Sequence, residues 1–188
     1  TGGETALIDS TIVYRYVQDN HPEFLEKLKA HGARYVRTLP KEDDPSSPIG
    51  RSYYNTYQVD SISALEAKLD TIAGLEYEWI GEDLKVTSES VSAVKLIREH
   101  SSNAVYQHTF HNAVIAAFTG WEDSRNDRLK SVRLGNDEEM PTDVLESIAS
   151  FMESNKVNYR WKKGDIFCLN NRLVMHSRNP FTHPPNFK

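Results

Sequence analysis

An imidazole and a guanidinium two residues apart close the segment GDIFCLNNRLVMHSR, residues 164–178, before NPF breaks the chain. Side chains alternate between the faces of an extended strand, so Arg172, Val174, His176 and Arg178 share one side while Leu173 and Met175 share the other. The side bearing the polar groups is the less hydrophobic one. If it lines the mouth of a barrel, His176 can offer a neutral nitrogen to a metal or a proton to a substrate. At an ordinary strand end the same ring is a partly exposed histidine bonded to a backbone carbonyl. A second pair, His108 and His111 in QHTFHN, has a spacing that puts its rings on opposite faces of a strand, which opposes joint ligation unless the segment bends.

These groups need a fold that delivers strands late in the chain. YEWI, LKVTSES, AVKLI and AVYQHTF, separated by GED and SSN, have the short alternating pattern of a β-meander. ARYVRTL supplies an earlier strand, and YRW, IFCLNN and RLVMHS close the chain as strands around a turn at KKGD. Helices are expected at STIVYRYVQDN, with Ser10 or Thr11 as N-cap, and at HPEFLEKLKAHG, with Pro22 at its entry and Gly32 at its exit. Two more are expected at SISALEAKLDTIAG, stopped by Gly74, and at PTDVLESIASFMESN. Three prolines and a glycine make PKEDDPSSPIGR a loop, with KEDD (41–44) as a solvated charge run.

With no linker and no parallel βαβ series, residues 1–188 are expected to form a single, mainly β domain, an antiparallel sandwich or jelly roll with helices outside it. The formal net charge of -5 argues against a nucleic-acid partner. The longest apolar run, AVIAAF, is far shorter than the ~20 residues that cross a bilayer, so no membrane is expected. Cys168 is the single cysteine; it excludes an internal disulfide, suits a reducing cytoplasmic compartment and reads as a small buried hydrophobe.

GGET at the start and GDIFCLNNRLVMHSRNPF towards the end are similar to two signatures of the taurine dioxygenase-like (TauD/TfdA) family of Fe(II)- and 2-oxoglutarate-dependent oxygenases. HPEFLEKLKAHGARYVR, DDPSSPIGR and FTGWEDSRND resemble its plant clavaminate synthase-like subgroup, in the same order and at similar spacing, so the resemblance covers nearly the whole chain. It implies a double-stranded β-helix, a jelly roll whose mouth holds iron through two histidines and a carboxylate, leaving positions for 2-oxoglutarate and O2. Oxidative decarboxylation to succinate and CO2 then drives oxidation of a C–H bond in a small, acidic or amino-acid-like substrate that the protein holds in place.

Matched position by position, the resemblance makes His176 the distal iron ligand and Thr5 the hydroxyl that hydrogen-bonds a 2-oxoglutarate carboxylate. It makes Asn171 an orienting amide and Arg178 a fork for a carboxylate. Beside these stand plainer readings: Thr5 as a β-branched strand opener after a Gly-Gly turn, Asn171 as a hairpin-turn residue, and Arg178 as half of a structural salt bridge. Asn112 and Trp121 are candidate substrate neighbours by the same match, with ordinary packing as the alternative.

The family's other two iron ligands belong to an H-x-D/E motif ahead of GGET, and its 2-oxoglutarate-anchoring arginine lies beyond the distal histidine, where this sequence reads NFK. The expectation is therefore a piece of an oxygenase, truncated at both ends and inactive by itself. Two rivals follow from other upstream sequences. Apolar residues in place of H-x-D/E would mean a jelly-roll binding module or pseudoenzyme; extra histidines would mean a cupin hydrolase or isomerase.

Overall fold

A computed structural model of the chain describes residues 2–98 and 106–182. In chain order the elements are β1 (Thr5–Asp9), α1 (Ser10–Asn20), α2 (Pro22–His31), β2 (Ala33–Leu39), α3 (Tyr53–Tyr57), α4 (Ile62–Leu69), β3 (Glu76–Ile80) and β4 (Asp83–Thr87). There follow β5 (Val94–Arg98), β6 (Tyr106–Phe110), α5 (Val114–Gly120), a 3-10 turn at Arg128–Lys130, β7 (Val132–Leu134), α6 (Thr142–Asn155), β8 (Val157–Tyr159) and β9 (Val174–Arg178). All pairings between these strands are antiparallel and give three sheets, ordered β8-β1-β9, β3-β4-β2-β7 and β5-β6. By its contacts the chain forms two compact units, one of Thr1–Pro22, Val94–His111 and Glu146–Lys188, the other of Glu23–Ala93 and Asn112–Leu145.

In the first unit β1 is the central strand of its sheet, and its alternate residues Ala6 and Ile8 are buried. β1 runs straight into α1 because Asp9 accepts a hydrogen bond from the Thr11 amide at 2.8 Å, which satisfies a donor that the first helical turn leaves open. The N-cap is thus Asp9, not the expected Ser10 or Thr11. The Ser10 hydroxyl is engaged elsewhere, donating at 2.8 Å to the Leu173 carbonyl just ahead of β9. Val13, Tyr14 and Val17 form the buried stripe of α1, and Tyr14 stacks on His108 of β6 at 5.0 Å. From α6, Phe151 stacks on Tyr16 at 4.0 Å.

In the second unit Leu39, Tyr53, Leu65, Leu69 and Leu84 make the core cluster between α3, α4 and the four-stranded sheet. Arg34 of β2 is buried, with its side chain 8% exposed, yet each face of its fork is used. Nε donates to the Ser88 carbonyl at 2.9 Å, Nη1 bridges both Asp137 oxygens at 3.0 and 2.9 Å, and Nη2 meets Glu76 at 2.7 Å.

The KEDD run is not simply solvated. Asp43 accepts from the Ser52 amide and from Asn55, and Asp44 pairs with Arg125, so these acids fasten the loop that the prolines open. Residues of FTGWEDSRND complete the same strap: Asp123 accepts from Ser47, and Asn126 bonds both backbone groups of Thr38.

The expected meander resolves into two separate hairpins. β4 offers its free edge to β2, so β3-β4 and β5-β6 belong to different sheets. Helices α3 and α5 fall within SYYNTY and VIAAFTG, where no helix is expected from the sequence. The expected strand at IFCLNN does not form. Its apolar residues have no paired strand among the described residues, and without a partner ladder an alternating run has nothing to hold it extended. Ile166 is 95% exposed and Cys168 is exposed rather than buried. None of the three described sheets closes into a barrel, and the described residues around His176 form an open face. Among the described residues no helix is long and apolar enough to cross a membrane.

Candidate functional site

The register of the three-stranded sheet collects the chemistry. Thr5 lies opposite Tyr159 of β8 and Arg178 of β9, while Leu7 lies opposite Val157 and His176. Opposed residues in an antiparallel pair point to the same side, and so do alternate residues along each strand. Thr5, Tyr159, His176 and Arg178 therefore share one face, and Ala6 and Ile8 bury the other.

On the polar face lies an open cleft of about 310 Å³ lined by Gly3, Thr5, Trp161, His176, Ser177 and Arg178. Two residues proposed from opposite ends of the sequence, Thr5 and His176, thus line one site with Arg178. The His176 ring is exposed there and has no hydrogen-bond partner among the described residues.

The glycines ahead of Thr5 do not form a tight turn. Gly2 and Gly3 have φ of 94° and 81°, Gly2 bridges Phe181, and the Gly3 amide donates to the Pro180 carbonyl at 3.2 Å. A Cβ on Gly2 would lie 2.5 Å from that carbonyl oxygen, so a side chain is excluded by close backbone approach as well as by φ. The pair thereby extends the contact between the two chain segments beyond the sheet and holds Thr5 in place.

Arg178 stacks on the Phe181 ring, its guanidinium carbon 3.9 Å from the centroid, and meets no carboxylate among the described residues. The salt-bridge alternative is therefore not realised among them. The Thr5 hydroxyl accepts a hydrogen bond from the indole N–H of Trp161 at 2.8 Å. That indole stands edge-on to Tyr159 at 5.3 Å, and the Tyr159 hydroxyl donates at 2.9 Å to Asp165, a hydrogen bond that, with desolvation, raises the phenol pKa.

The remaining candidates sit elsewhere. Asn171 is exposed in the turn before β9 and does not line the cleft; the neighbouring Asn170 bonds the Arg172 and Leu173 amides. His108 stacks on Tyr14, whereas His111 lies just past β6, where burial and then the charges of Lys95 and Arg172 hold its pKa below the usual histidine range. In the second unit Asn112 adopts φ 72° and donates to the Ser92 carbonyl, and Trp121 packs on Tyr35 at 5.8 Å. Both serve local structure there. Tyr35, half-buried and accepting a hydrogen bond from the Ala113 amide, has its pKa pushed up to about 12, chiefly by desolvation of the phenol. Trp161, which lines the cleft, and Phe181, which stacks on Arg178, are not singled out as candidates from the sequence. Their contacts with Thr5 and Arg178 depend on strand register and on the Gly2–Phe181 bridge.

A hydroxyl and a guanidinium with no carboxylate partner among the described residues, on one face, suit a carboxylate, and the adjacent imidazole suits one coordination position of a metal. Among the described residues no group of three or more His, Cys, Asp or Glu side chains is arranged to hold a metal ion. The described part of the site therefore fits an anionic ligand beside one metal-binding ring, not a complete metal centre.

The family described as taurine catabolism dioxygenase TauD, TfdA family matches residues 1–186. The chain belongs to the TauD/TfdA family. It is 36% identical over 184 residues to a clavaminate synthase-like protein of Arabidopsis thaliana, a match covering 97% of this chain and 54% of the relative. It is 25% identical over 195 residues to the dapdiamide synthesis protein DdaC of Enterobacter agglomerans, covering 96% and 54%. The chain thus spans about half the length of the curated relatives it matches.

Proposed function

We propose that this chain is part of an Fe(II)- and 2-oxoglutarate-dependent oxygenase that oxidises a C–H bond of a small, acidic or amino-acid-like molecule, with release of succinate and CO2. The observation that carries this reading is the convergence of Thr5, His176 and Arg178 on one open cleft in a chain of the TauD/TfdA family. In this reading the whole of 1–188 is one domain, and the family match across both compact units supports that. The β8-β1-β9 sheet is one wall of a double-stranded β-helix. The exposed thiol of Cys168 is in keeping with a reducing cytoplasmic setting.

His176 supplies one metal ligand, and the other donors come from residues outside those described. When bound, iron and 2-oxoglutarate would activate O2, which is the oxidant. The chain's own groups bind and orient. Thr5 donates its hydroxyl proton to a carboxylate oxygen, and Arg178, stiffened by the Phe181 ring, presents donors to an anionic group in the same cleft. The name of the DdaC relative, a dapdiamide synthesis protein, favours a biosynthetic role.

The test is succinate release by the full-length protein with Fe(II), ascorbate, O2 and 2-oxoglutarate against a panel of small acids and amino acids. Succinate formation stimulated by one class of acceptor is expected. A folded protein that neither binds nor consumes 2-oxoglutarate overturns the assignment.

A further inference from the structure

We propose that Trp161 is a positioning residue, which by donating its N–H to Thr5 makes the Thr5 hydroxyl a proton donor towards a carboxylate bound in the cleft. This rests on the 2-oxoglutarate reading above and adds to it the residue that sets the direction of the hydrogen bond.

An indole N–H can only donate, whereas a threonine hydroxyl both donates and accepts. At a Nε1–Oγ1 distance of 2.8 Å the indole occupies an acceptor site of Thr5, so the hydroxyl proton must point elsewhere. Thr5 is held on both sides by strand pairing, to Tyr159 and to Arg178, and its β-branched side chain has few χ1 choices. No described group accepts its proton, and the groups around it are the donors of Arg178 and the ring of His176.

The polarity suits an anion. A carboxylate in the cleft would receive the Thr5 proton, and its charge would polarise the indole-to-hydroxyl bond in the same direction.

The indole itself is held in place. Tyr159 meets it edge-on at 5.3 Å and Phe167 at 6.2 Å, while Asp165 ties the Tyr159 hydroxyl at 2.9 Å and the Lys162 amide at 2.8 Å. Asp165, Tyr159, Trp161 and Thr5 thus form a chain of contacts ending at the cleft. If the indole bond only anchored the segment after β8, ligand affinity would not depend on it.

The experiment is calorimetric titration of 2-oxoglutarate into the full-length, Fe(II)-loaded protein under anaerobic conditions, for wild type, Trp161→Phe, Thr5→Val, the double variant and Thr5→Ser with and without Trp161→Phe. Trp161→Phe keeps an aromatic ring, smaller than the indole, and deletes the donor. It is expected to weaken binding about tenfold, as for one hydrogen bond at a ligand contact. Thr5→Val weakens binding at least as much, the double variant is no worse than Thr5→Val, and Thr5→Ser retains the sensitivity to Trp161→Phe.

Wild-type affinity in Trp161→Phe, or losses that multiply in the double variant, overturn the proposal while leaving the cofactor reading intact. A wild type that does not bind 2-oxoglutarate overturns both. Should Trp161→Phe not fold, the wild type still decides. Among the tryptophan indole N–H resonances of the protein, that of Trp161 is expected to shift when 2-oxoglutarate is added, and an unmoved resonance refutes the proposal.

Discussion

Asn126 substitutes for a missing stretch of β-strand, and its removal should be costly. β7 pairs with β2 only over Ala33–Tyr35, so the outer edge of β2 beyond that point needs other partners. The Ser131 carbonyl accepts from the Val36 amide, and the Asn126 side chain takes over at Thr38: Oδ1 accepts from the Thr38 amide at 2.6 Å and Nδ2 donates to the Thr38 carbonyl at 3.0 Å. Asn126 and Thr38 are each 8% exposed.

Asn126→Ala therefore strands one buried amide and one buried carbonyl. At roughly 1–3 kcal/mol per unsatisfied group, eased by partial relaxation, the loss is roughly 2–4 kcal/mol. For a chain of this size that is a fall of roughly 4–16 °C in Tm. Asn126→Asp keeps the acceptor and replaces the donor, setting a carboxylate oxygen against the Thr38 carbonyl and against Asp123, which now accepts from Nδ2 at 2.9 Å. It should cost more than alanine at neutral pH and recover as acid protonates the introduced carboxyl. Urea unfolding followed by circular dichroism measures both. A loss below about 0.5 kcal/mol for Asn126→Ala, or an aspartate variant as stable as the alanine one at pH 7, would refute the reasoning.

Three further outcomes follow from the geometry. Glu76 and Asp137 are half or more exposed, so Arg34→Met frees them to water and should cost about 1–3 kcal/mol, whereas Glu76→Gln combined with Asp137→Asn leaves a buried guanidinium without counter-charge and should cost about 3–5 kcal/mol; the reverse ranking in urea unfolding contradicts this. Arg125, with Ser46, holds the Asp44 carboxyl at about 2, well below its ordinary value of 3.8. Because that pKa is depressed on folding, its contribution is present above about pH 4 and lost as pH falls through about 2, so Asp44→Asn should flatten the acid limb of a stability-against-pH curve. The 188-residue chain by itself, with a single imidazole on its cleft among the described residues, should show no submicromolar Fe(II) affinity by calorimetry.

Local signals reported themselves well. Pro22 and Gly32 bracket α2, apolar spacing marked α1 and α4, and β-branched runs marked β2 and β4. The short α3 and α5 were hidden because a few residues of helix carry too little periodicity to register. IFCLNN shows the opposite failure. Its alternation is a property of the sequence, but a strand requires a neighbour, and none of the described residues provides one. Thr5, His176 and Arg178 were legible because they lie within motifs. Trp161 was not, since its role depends on a hydrogen bond to a residue 156 positions away that only the pairing of β1 with β8 creates. Asn112 and Trp121 matched a motif by position, yet their contacts within the second unit are a hydrogen bond to the Ser92 carbonyl and an aromatic contact, which a motif match cannot distinguish from ligand contact.

Whether His176 is a ferrous ligand is open to direct measurement. Anaerobic calorimetry of Fe(II) binding to the full-length protein, compared with a folded His176→Ala variant, is expected to show one tight site that the substitution abolishes. Equal Fe(II) affinity in the two proteins would remove His176 from the metal and with it the proposed use of the cleft.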